Sequence, residues 1–265
     1  MTRPIVFLTD YGLSDPFVGI CHGVIARIAP DARVIDLTHA IPRQDVLRGA
    51  IELGRAIPYL PADAVFVAIV DPGVGSARRS VAVSAAGAHL VGPDNGVLSL
   101  GWRALGGADA AVEISNEEIV LSPVSRTFHG RDVFAPAAAH LASGMALDRL
   151  GPSIDVASLG RLEVPQPMVA PGAVGARVTG VDGFGNVQLN ATMSDLEAAQ
   201  VAIVERVLVV SGRKLPCAGT FAELPEHEPG LIVDSQGFLS LVVNHGSAAA
   251  MLRLSAGDAV VLEER

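Results

Sequence analysis

Short apolar runs alternate with helix-like segments over residues 1–143, and this alternation is the feature that most constrains the fold. The run 64–70 is wholly apolar and rich in β-branched residues, which is typical of a strand buried in the centre of a sheet. Further strands are predicted at 5–9, 33–38, 80–84 and 89–91, and helices at 16–28, 44–56, 95–105 and 132–143. This βαβ rhythm predicts an α/β domain whose sheet is mostly parallel and covered on both faces.

The pattern changes near residue 164, where Pro165, Pro167, Pro171 and Gly172 form a proline-rich connection. Short strand signals then follow at close spacing, which predicts a small antiparallel barrel or sandwich. They lie at 175–181, 186–189, 207–211, 230–233, 239–243 and 259–263. We therefore expect an α/β catalytic domain over 1–164 and an all-β, barrel-like, substrate-binding domain over 172–265.

Composition excludes several classes of protein. The net charge is -9, whereas a nucleic-acid-binding protein typically carries an excess of basic residues. No apolar run reaches membrane-spanning length, so we expect no membrane partner. Cys21 and Cys217 are far apart and form no CxxC pair, which disfavours a disulfide scaffold or a structural zinc site. These observations predict a reduced, cytoplasmic protein.

Polar side chains follow three of the predicted strands. Asp10 follows the first strand, His39 the second and Asp71 the apolar central one. In open α/β sheets, ligands bind beyond the carboxyl ends of the strands, so these residues are candidates for a site. The alternative is that each is a turn, cap or structural residue, as most loop Asp and His residues are.

Two glycine-containing segments lie among these candidates. Residues 70–79 form a loop with Pro72, Gly73 and Gly75 that can approach a ligand closely, or that merely makes a tight hairpin turn. The segment lacks the GK[ST] of a phosphate-binding loop and the spacing of a dinucleotide fingerprint. In the second segment, 127–132, we expect Asp132 to cap the next helix, and His129 either acts in a site or only packs.

The sequence closely resembles the S-adenosylmethionine hydroxide adenosyltransferase family, whose relatives include the S-adenosylmethionine-dependent fluorinase and chlorinase. The matching motifs are spread in family order over nearly the whole chain, and the ordered set is highly specific. They are Phe7-Leu8-Thr9-Asp10-Tyr11-Gly12, Val70-Asp71-Pro72-Gly73-Val74-Gly75, Gly92-Pro93-Asp94-Asn95-Gly96, Phe128-His129-Gly130-Arg131-Asp132, Gly183-Phe184-Gly185-Asn186 and Asp234-Ser235-Gln236-Gly237.

The resemblance implies hydrolysis of S-adenosyl-L-methionine to adenosine and L-methionine, with no cofactor and no metal. It also implies a homotrimer with active sites between subunits. The family's catalytic triad corresponds to Asp71, Arg78 and His129, although Arg79 is adjacent and spacing alone separates the two arginines. The halogenating relatives carry other residues at the Asp and His positions. A carboxylate beside the nucleophile would repel a halide, so Asp71 favours water.

The resemblance also implies binding roles. Asp10 is expected to hydrogen-bond the ribose hydroxyls, and Asp15 to meet the substrate ammonium unless it is only a helix N-cap. Phe184 is expected to stack on adenine and Asn186 to bind the substrate through its amide, unless both serve only the turn.

Ser235 is expected to contact the methionine end of the substrate. The halogenating relatives have an Arg next in this motif, whereas this chain has Gln236, which leaves carboxylate recognition open. Asn244 is a weaker candidate for adenine contact.

Two competing functions remain open at this stage. One is a metal-dependent hydrolase, with ligands drawn from Asp10, His39, Asp71, His129 and Asp132. The other is a module that binds adenosine or S-adenosylmethionine without turnover. A water-activating carboxylate has no use in a binder, which argues against the second. His39, His140 and His245 are expected to be structural.

Overall fold

The computed structural model describes residues 2–203 and 207–264. The chain divides into two compact units: a first unit that ends at Glu163 and a second unit that begins at Val164. Over the described residues, no helix has both the length and the apolar character needed to cross a membrane.

The first unit alternates strands with helices. In chain order its elements are β1 (Ile5–Thr9), α1 (Phe17–Ile28), β2 (Val34–Thr38), α2 (Val46–Ala56), β3 (Val65–Ile69), β4 (Ser80–Ala85), β5 (Ala88–Pro93), α3 (Ser99–Ala104), β6 (Ala110–Glu113), α4 (Ala135–Ala142) and β7 (Ser153–Ile154).

Over the described residues, the strands of the first unit form one seven-stranded sheet in the order β2-β1-β3-β5-β4-β6-β7. The pairs β1–β2, β1–β3 and β3–β5 are parallel. β4 is antiparallel to β5 and β6, and β7 is antiparallel to β6. The sheet is therefore mixed: β2, β1, β3, β5 and β6 run in one direction, and β4 and β7 run against them.

The reversal at β4 has a local cause. Only Ala86 and Gly87 separate β4 from β5, and both have positive φ, at 48° and 83°. Such a two-residue turn makes an antiparallel hairpin, because a parallel pair needs a long crossover connection.

The sheet is covered on both faces, as the βαβ rhythm predicts. Side chains alternate along a strand, so neighbouring residues of β1 enter different cores. Phe7 packs with residues of α1 and α4, whereas Leu8 packs with residues of α2 and α3. The central strand β3 is buried along its whole length.

Three expectations about helix starts are wrong. α1 begins at Phe17 with Pro16 at its N-cap and no side-chain cap, so Asp15 is not the N-cap. α2 begins at Val46 and not at residue 44. Asp45 is its N-cap, and the Asp45 side chain accepts from the backbone N–H of Arg48. α3 begins at Ser99 and not at residue 95, because the chain still turns at Gly96, where φ is 95°.

The second unit is built mainly from strands. Its elements are β8 (Met168–Ala170), β9 (Ala173–Val181), β10 (Val187–Thr192), α5 (Met193–Ala198), β11 (Val207–Val210), β12 (Arg213–Pro216), β13 (Pro229–Val233), β14 (Phe238–Val243), α6 (Ala248–Leu252) and β15 (Ala259–Glu263).

Among the described residues, every pairing between these named strands is antiparallel. The strand order is β12-β11-β15-β9-β10-β14-β13, with β8 beside β9. The two ends of this path approach each other, since Cys217 bridges Leu231 and the Ala218 N–H donates to the Leu231 carbonyl at 3.0 Å. The sheet is thus nearly closed around one apolar core and is barrel-like.

Candidate active site

The loop after β3 is fixed at two points. The side-chain amide of Asn95 donates a 2.8 Å hydrogen bond to the carbonyl of Val70, the residue before Asp71. Gly75 has a φ of 77°, and a Cβ there would overlap the carbonyl oxygen of Arg126. The glycine is therefore required for both the backbone conformation and the close approach.

This loop returns Arg78 to Asp71. The Nε and Nη2 groups of Arg78 donate to Oδ1 and Oδ2 of Asp71 at 2.9 and 2.5 Å, in a bidentate pair. The Arg78 and Asp71 side chains are only 10% and 7% exposed. The neighbouring Arg79 instead pairs with Asp94, through Nε at 2.8 Å, and with Ser158. Of the two arginines, Arg78 is the one that contacts Asp71.

Arg78 also contacts His129. Its Nη2 group donates to Nδ1 of His129 at 2.7 Å, so the neutral ring carries its proton on Nε2. Nη1 donates to the Ser80 hydroxyl at 2.8 Å and to the Arg79 carbonyl at 3.4 Å. Together with the two bonds to Asp71, every N–H of the guanidinium has an acceptor. Arg78 is therefore fully engaged in organising its neighbours.

The pKa of His129 is lowered below its usual value. Burial is the larger cause, and the positive charge of Arg78 is the second. The carboxylates of Asp71 and Asp132 oppose this shift without cancelling it. The imidazole is consequently neutral at pH 7, which leaves it able to accept the hydrogen bond from Arg78.

Asp132 does not cap a helix, contrary to expectation. It lies within a π-helical turn, Gly130–Phe134, that leads into α4. Its carboxylate is buried, and accepts from Nε of Arg131 at 2.6 Å and from the backbone N–H of Ser125 at 2.9 Å. Asp132 thus anchors the loop that carries His129.

Asp71 and His129 open onto a pocket of about 230 Å³ in the first unit. Asp10 also lines this pocket, and its Oδ2 accepts the backbone N–H of Gln44 at 2.9 Å. Asp15 is exposed and does not line the pocket. The structure therefore brings four of the predicted residues of the first unit together and leaves Asp15 apart.

Sequence reasoning missed several residues of the pocket wall. Tyr11, Phe17 and Phe128 form an aromatic cluster with ring centroids 5.2 to 5.9 Å apart. Burial raises the pKa of Tyr11 well above its usual value, so the phenol stays protonated. Tyr11 and Phe128 lie inside the family motifs and could have been proposed from them. Other lining residues without an assigned role are Gln44, Val74, Thr127 and Gly130.

In the second unit, the β9–β10 turn carries Phe184 and Asn186. Asp182 organises it: Oδ1 accepts the backbone N–H groups of Phe184 and Asn186, and Oδ2 accepts from the Asn186 side chain at 2.8 Å. Phe184 is left 83% exposed. The Gly185 carbonyl accepts from the Ala249 N–H at 3.0 Å, which holds the turn against the segment that follows Asn244.

Ser235 lies elsewhere in the second unit. The register pairs Val187 with Leu241 and Thr192 with Phe238. The turn holding Ser235 immediately precedes Phe238, so it lies at the far end of β10 from the turn that holds Phe184 and Asn186. That strand spans roughly 17 Å. The structure therefore brings Phe184, Asn186 and Asn244 to one end of β10 and β14, and Ser235 to the other.

The ligand set of the metal-dependent alternative does not assemble. Asp71 and His129 are held by the cation Arg78, and Asp132 is held by Arg131. His39 instead lies within hydrogen-bond distance of Thr9 and Asp36. No group of three ligand atoms drawn from the proposed set lies close together within the part of the chain that the structure describes.

Comparison with known proteins places this geometry in a family. Residues 5–151 match the model of the SAM hydroxide adenosyltransferase N-terminal domain, and residues 176–261 match that of the C-terminal domain. The chain belongs to the SAM hydroxide adenosyltransferase family. The two matches together span both units and contain all the predicted site residues.

Relatives in this family differ in their reactions. An (R)-S-adenosyl-L-methionine hydrolase from Salinispora arenicola is 51% identical over 96% of this chain and 95% of its own. A fluorinase from Actinopolyspora mzabensis is 29% identical over 98% of this chain and 97% of its own. A crystal structure of an uncharacterized conserved protein from Thermotoga maritima aligns with a TM-score of 0.88 at 35% identity, covering 98% of this chain and all of that one.

Proposed function

We propose that this SAM hydroxide adenosyltransferase hydrolyses S-adenosyl-L-methionine to adenosine and L-methionine. The observation that carries the proposal is the hydrogen-bonded Asp71–Arg78–His129 group, which borders a pocket in a chain 51% identical to a named hydrolase. The reaction is one in-line displacement at the ribose C5′. A C–O bond to water forms, the C–S bond breaks with its electrons going to sulfur, and the water loses a proton.

Asp71 is the group that accepts the water hydrogen. Each of its oxygens receives one bond from Arg78, and a carboxylate oxygen has a second lone pair to offer. The leaving group is a neutral thioether, so no general acid is needed at sulfur. Hydroxide character and the sulfonium charge cancel in the transition state, and a site that excludes water favours that cancellation.

Arg78 acts as a positioning residue and a source of positive charge. With every N–H already donated, it holds Asp71 and His129 in fixed orientations and has no hydrogen bond left for the attacking water. His129, neutral and fixed through Nδ1, carries its proton on Nε2, so it can donate a hydrogen bond to the water oxygen and orient the water for attack.

The reaction as proposed needs no metal or other cofactor. The charge beside Asp71 and His129 that a metal would supply is already supplied by Arg78. This argument rests on how the two side chains are engaged, and it separates the proposal from a metal-dependent hydrolase.

Substrate contacts divide between the units. In the first, Asp10 hydrogen-bonds the ribose hydroxyls. In the second, Phe184 stacks on adenine, with Asn186 and Asn244 supplying polar contacts at the same end of β10. Ser235 meets the methionine end, at the opposite end of β10 from Phe184.

Asp15 remains a candidate for the substrate ammonium. It is exposed, it does not cap α1, and it lies outside the pocket wall of the first unit. Contact with the ammonium would therefore occur outside that pocket.

The pocket of the first unit has a volume of about 230 Å³, whereas typical small-molecule sites have volumes of roughly 300–1,000 Å³. A complete site therefore needs further walls. We infer, with the family resemblance, a cytoplasmic homotrimer in which the first unit of one chain meets the second unit of a neighbouring chain.

The name of the Salinispora relative specifies the (R) configuration at sulfur. We infer from this name that this chain also prefers the (R) epimer. In-line attack requires the C5′–S bond to point away from the water, so the methyl and 3-amino-3-carboxypropyl groups of the sulfonium exchange places between the two epimers.

The deciding experiment is incubation of purified protein with each epimer of S-adenosyl-L-methionine in oxygen-18 water. We expect adenosine labelled at the 5′ oxygen, together with methionine, and faster turnover of the (R) epimer. Unlabelled adenosine, free adenine or a methylated product would contradict the proposed reaction. Tight binding of substrate without any product would instead identify a binding module.

A further inference from the structure

Three metal-ligating side chains meet outside the active-site pocket. His22 lies on α1, Asp36 on β2, and His39 directly after β2. The Nε2 atoms of His22 and His39 are 2.9 and 3.0 Å from the same oxygen, Oδ1 of Asp36. The three ligand atoms all lie within 4.8 Å of one another, and over the described residues this is the only such group.

We propose that His22, Asp36 and His39 form a binding site for one divalent transition-metal ion, with Zn²⁺ as the best match. Imidazole nitrogen and carboxylate oxygen are donors that Zn²⁺ uses at about 2.0–2.2 Å. Around a tetrahedral ion such ligand atoms lie roughly 3.3 Å apart. The two histidine–Asp36 contacts would each lengthen by a few tenths of an ångström, and the two imidazole nitrogens already lie within 4.8 Å of each other. The His22 and Asp36 side chains are 35% and 44% exposed, which gives the ion access and leaves a position for water.

The surroundings of His39 suit a ligand. Its side chain is only 3% exposed, and its Nδ1 lies 2.8 Å from the hydroxyl oxygen of Thr9. A hydroxyl can accept a hydrogen bond from Nδ1–H, which leaves the lone pair of Nε2 for a metal.

This ion would brace the loop that carries Asp10 without taking part in hydrolysis. The His39 carbonyl accepts the Gly12 N–H at 2.8 Å, and the Thr9 hydroxyl accepts the Tyr11 N–H at 3.1 Å. Fixing His39 therefore fixes the backbone on both sides of the Asp10–Tyr11 peptide. The inference is independent of the proposed hydrolysis.

The test is titration of chelator-treated full-length protein with Zn²⁺ by calorimetry, and with Co²⁺ by visible absorption. We expect one ion per chain, with an affinity at least tenfold weaker in His22→Ala and in Asp36→Asn. His140→Ala, which removes a histidine of α4 that belongs to no such group, should bind as the wild type does. Absence of binding in the wild type, or unchanged affinity in both ligand variants, would overturn the proposal.

Amide hydrogen exchange provides a second measurement. Zn²⁺ should slow exchange at Tyr11 and Gly12 in the wild type and have no such effect in His22→Ala. His22 is partly exposed, so its replacement should leave the fold intact, and His22→Gln serves as a second variant if the alanine protein fails to fold. Equal slowing in the wild type and in a folded His22 variant would locate the ion elsewhere.

Discussion

Arg78 lies between Asp71 and His129 and donates to His129 Nδ1 from the same Nη2 group that bonds Asp71. A guanidinium can only donate, so this contact exists only while Nδ1 is unprotonated. The positions of the carboxylate and the imidazole are thus set by one cation, and a change at any of the three alters the other two.

Asp71→Asn should abolish turnover and leave substrate affinity within about tenfold, or roughly 1.4 kcal/mol. The reason is that Asp71 is assigned to water and not to the substrate. Turnover assays and calorimetric titration measure the two effects. Asp94→Asn is the matched control, because Asp94 is equally buried against the adjacent Arg79. Near-normal turnover in Asp71→Asn would refute the mechanism.

Arg78→Lys should lower kcat on the order of 10²-fold while substrate binding changes little. A lysine ammonium cannot reproduce the planar fork that grips both oxygens of Asp71 and also reaches His129. Arg79→Lys, which alters only the pair with Asp94 and Ser158, should retain activity close to wild type. Steady-state kinetics on both variants would decide; equal losses would show that Arg78 has no special position.

The pH dependence of kcat should follow the protonation of His129. Because its pKa is lowered in the folded protein, kcat should hold constant as the pH falls through 6.5 and decline only at the lower pKa of the folded state. The unfolded chain binds this proton first, so the His129 contribution to stability decreases as the pH falls from above 6.5 to that lower value. NMR titration of the His129 ring, with His129→Gln as reference, measures the shift. A raised pKa would contradict the arrangement.

Activity at 25 °C should survive prolonged EDTA treatment and dialysis, because the proposed displacement needs no Lewis acid. Metal analysis of the dialysed protein is the control, and it also reports whether the His22–Asp36–His39 site has been emptied. Loss of activity on chelation, restored by a divalent ion, would instead support metal-dependent hydrolysis.

Mixed oligomers should regain activity if the site is shared between chains. One inactive partner carries Asp71→Ala, and the other carries Asn186→Ala with Phe184→Ala. Co-expressed chains with different tags, purified as mixed trimers, should include sites that receive two intact halves. If the mixed trimers form and stay inactive, the site is made within one chain.

Much of the first unit could be predicted from periodicity, because buried β-branched runs and amphipathic helices leave strong patterns. The reversal at β4 is absent from that prediction, which assigns the strands at 80–84 and 89–91 to the βαβ rhythm although their connection has only four residues. Its brevity alone excludes a crossover, so the sequence did contain the signal.

The site was less predictable, since its contacts join distant segments. Spacing could not separate Arg78 from Arg79, and only the folded loop directs them to different carboxylates. Gln44 reaches the pocket through a backbone N–H and a φ of 65°, which side-chain chemistry does not reveal. The separation of Ser235 from Phe184 follows from strand register, which motif order does not encode.

The positions of Phe184 and Ser235 at opposite ends of β10 have a consequence for release of the products. If each turn holds one end of the substrate, the intact molecule is a bivalent ligand whose halves raise each other's effective concentration. Cleavage of the C5′–S bond removes that linkage at once. Adenosine and methionine then each bind with the affinity of one contact set, so the chemical step itself weakens retention of its products without any movement of the protein.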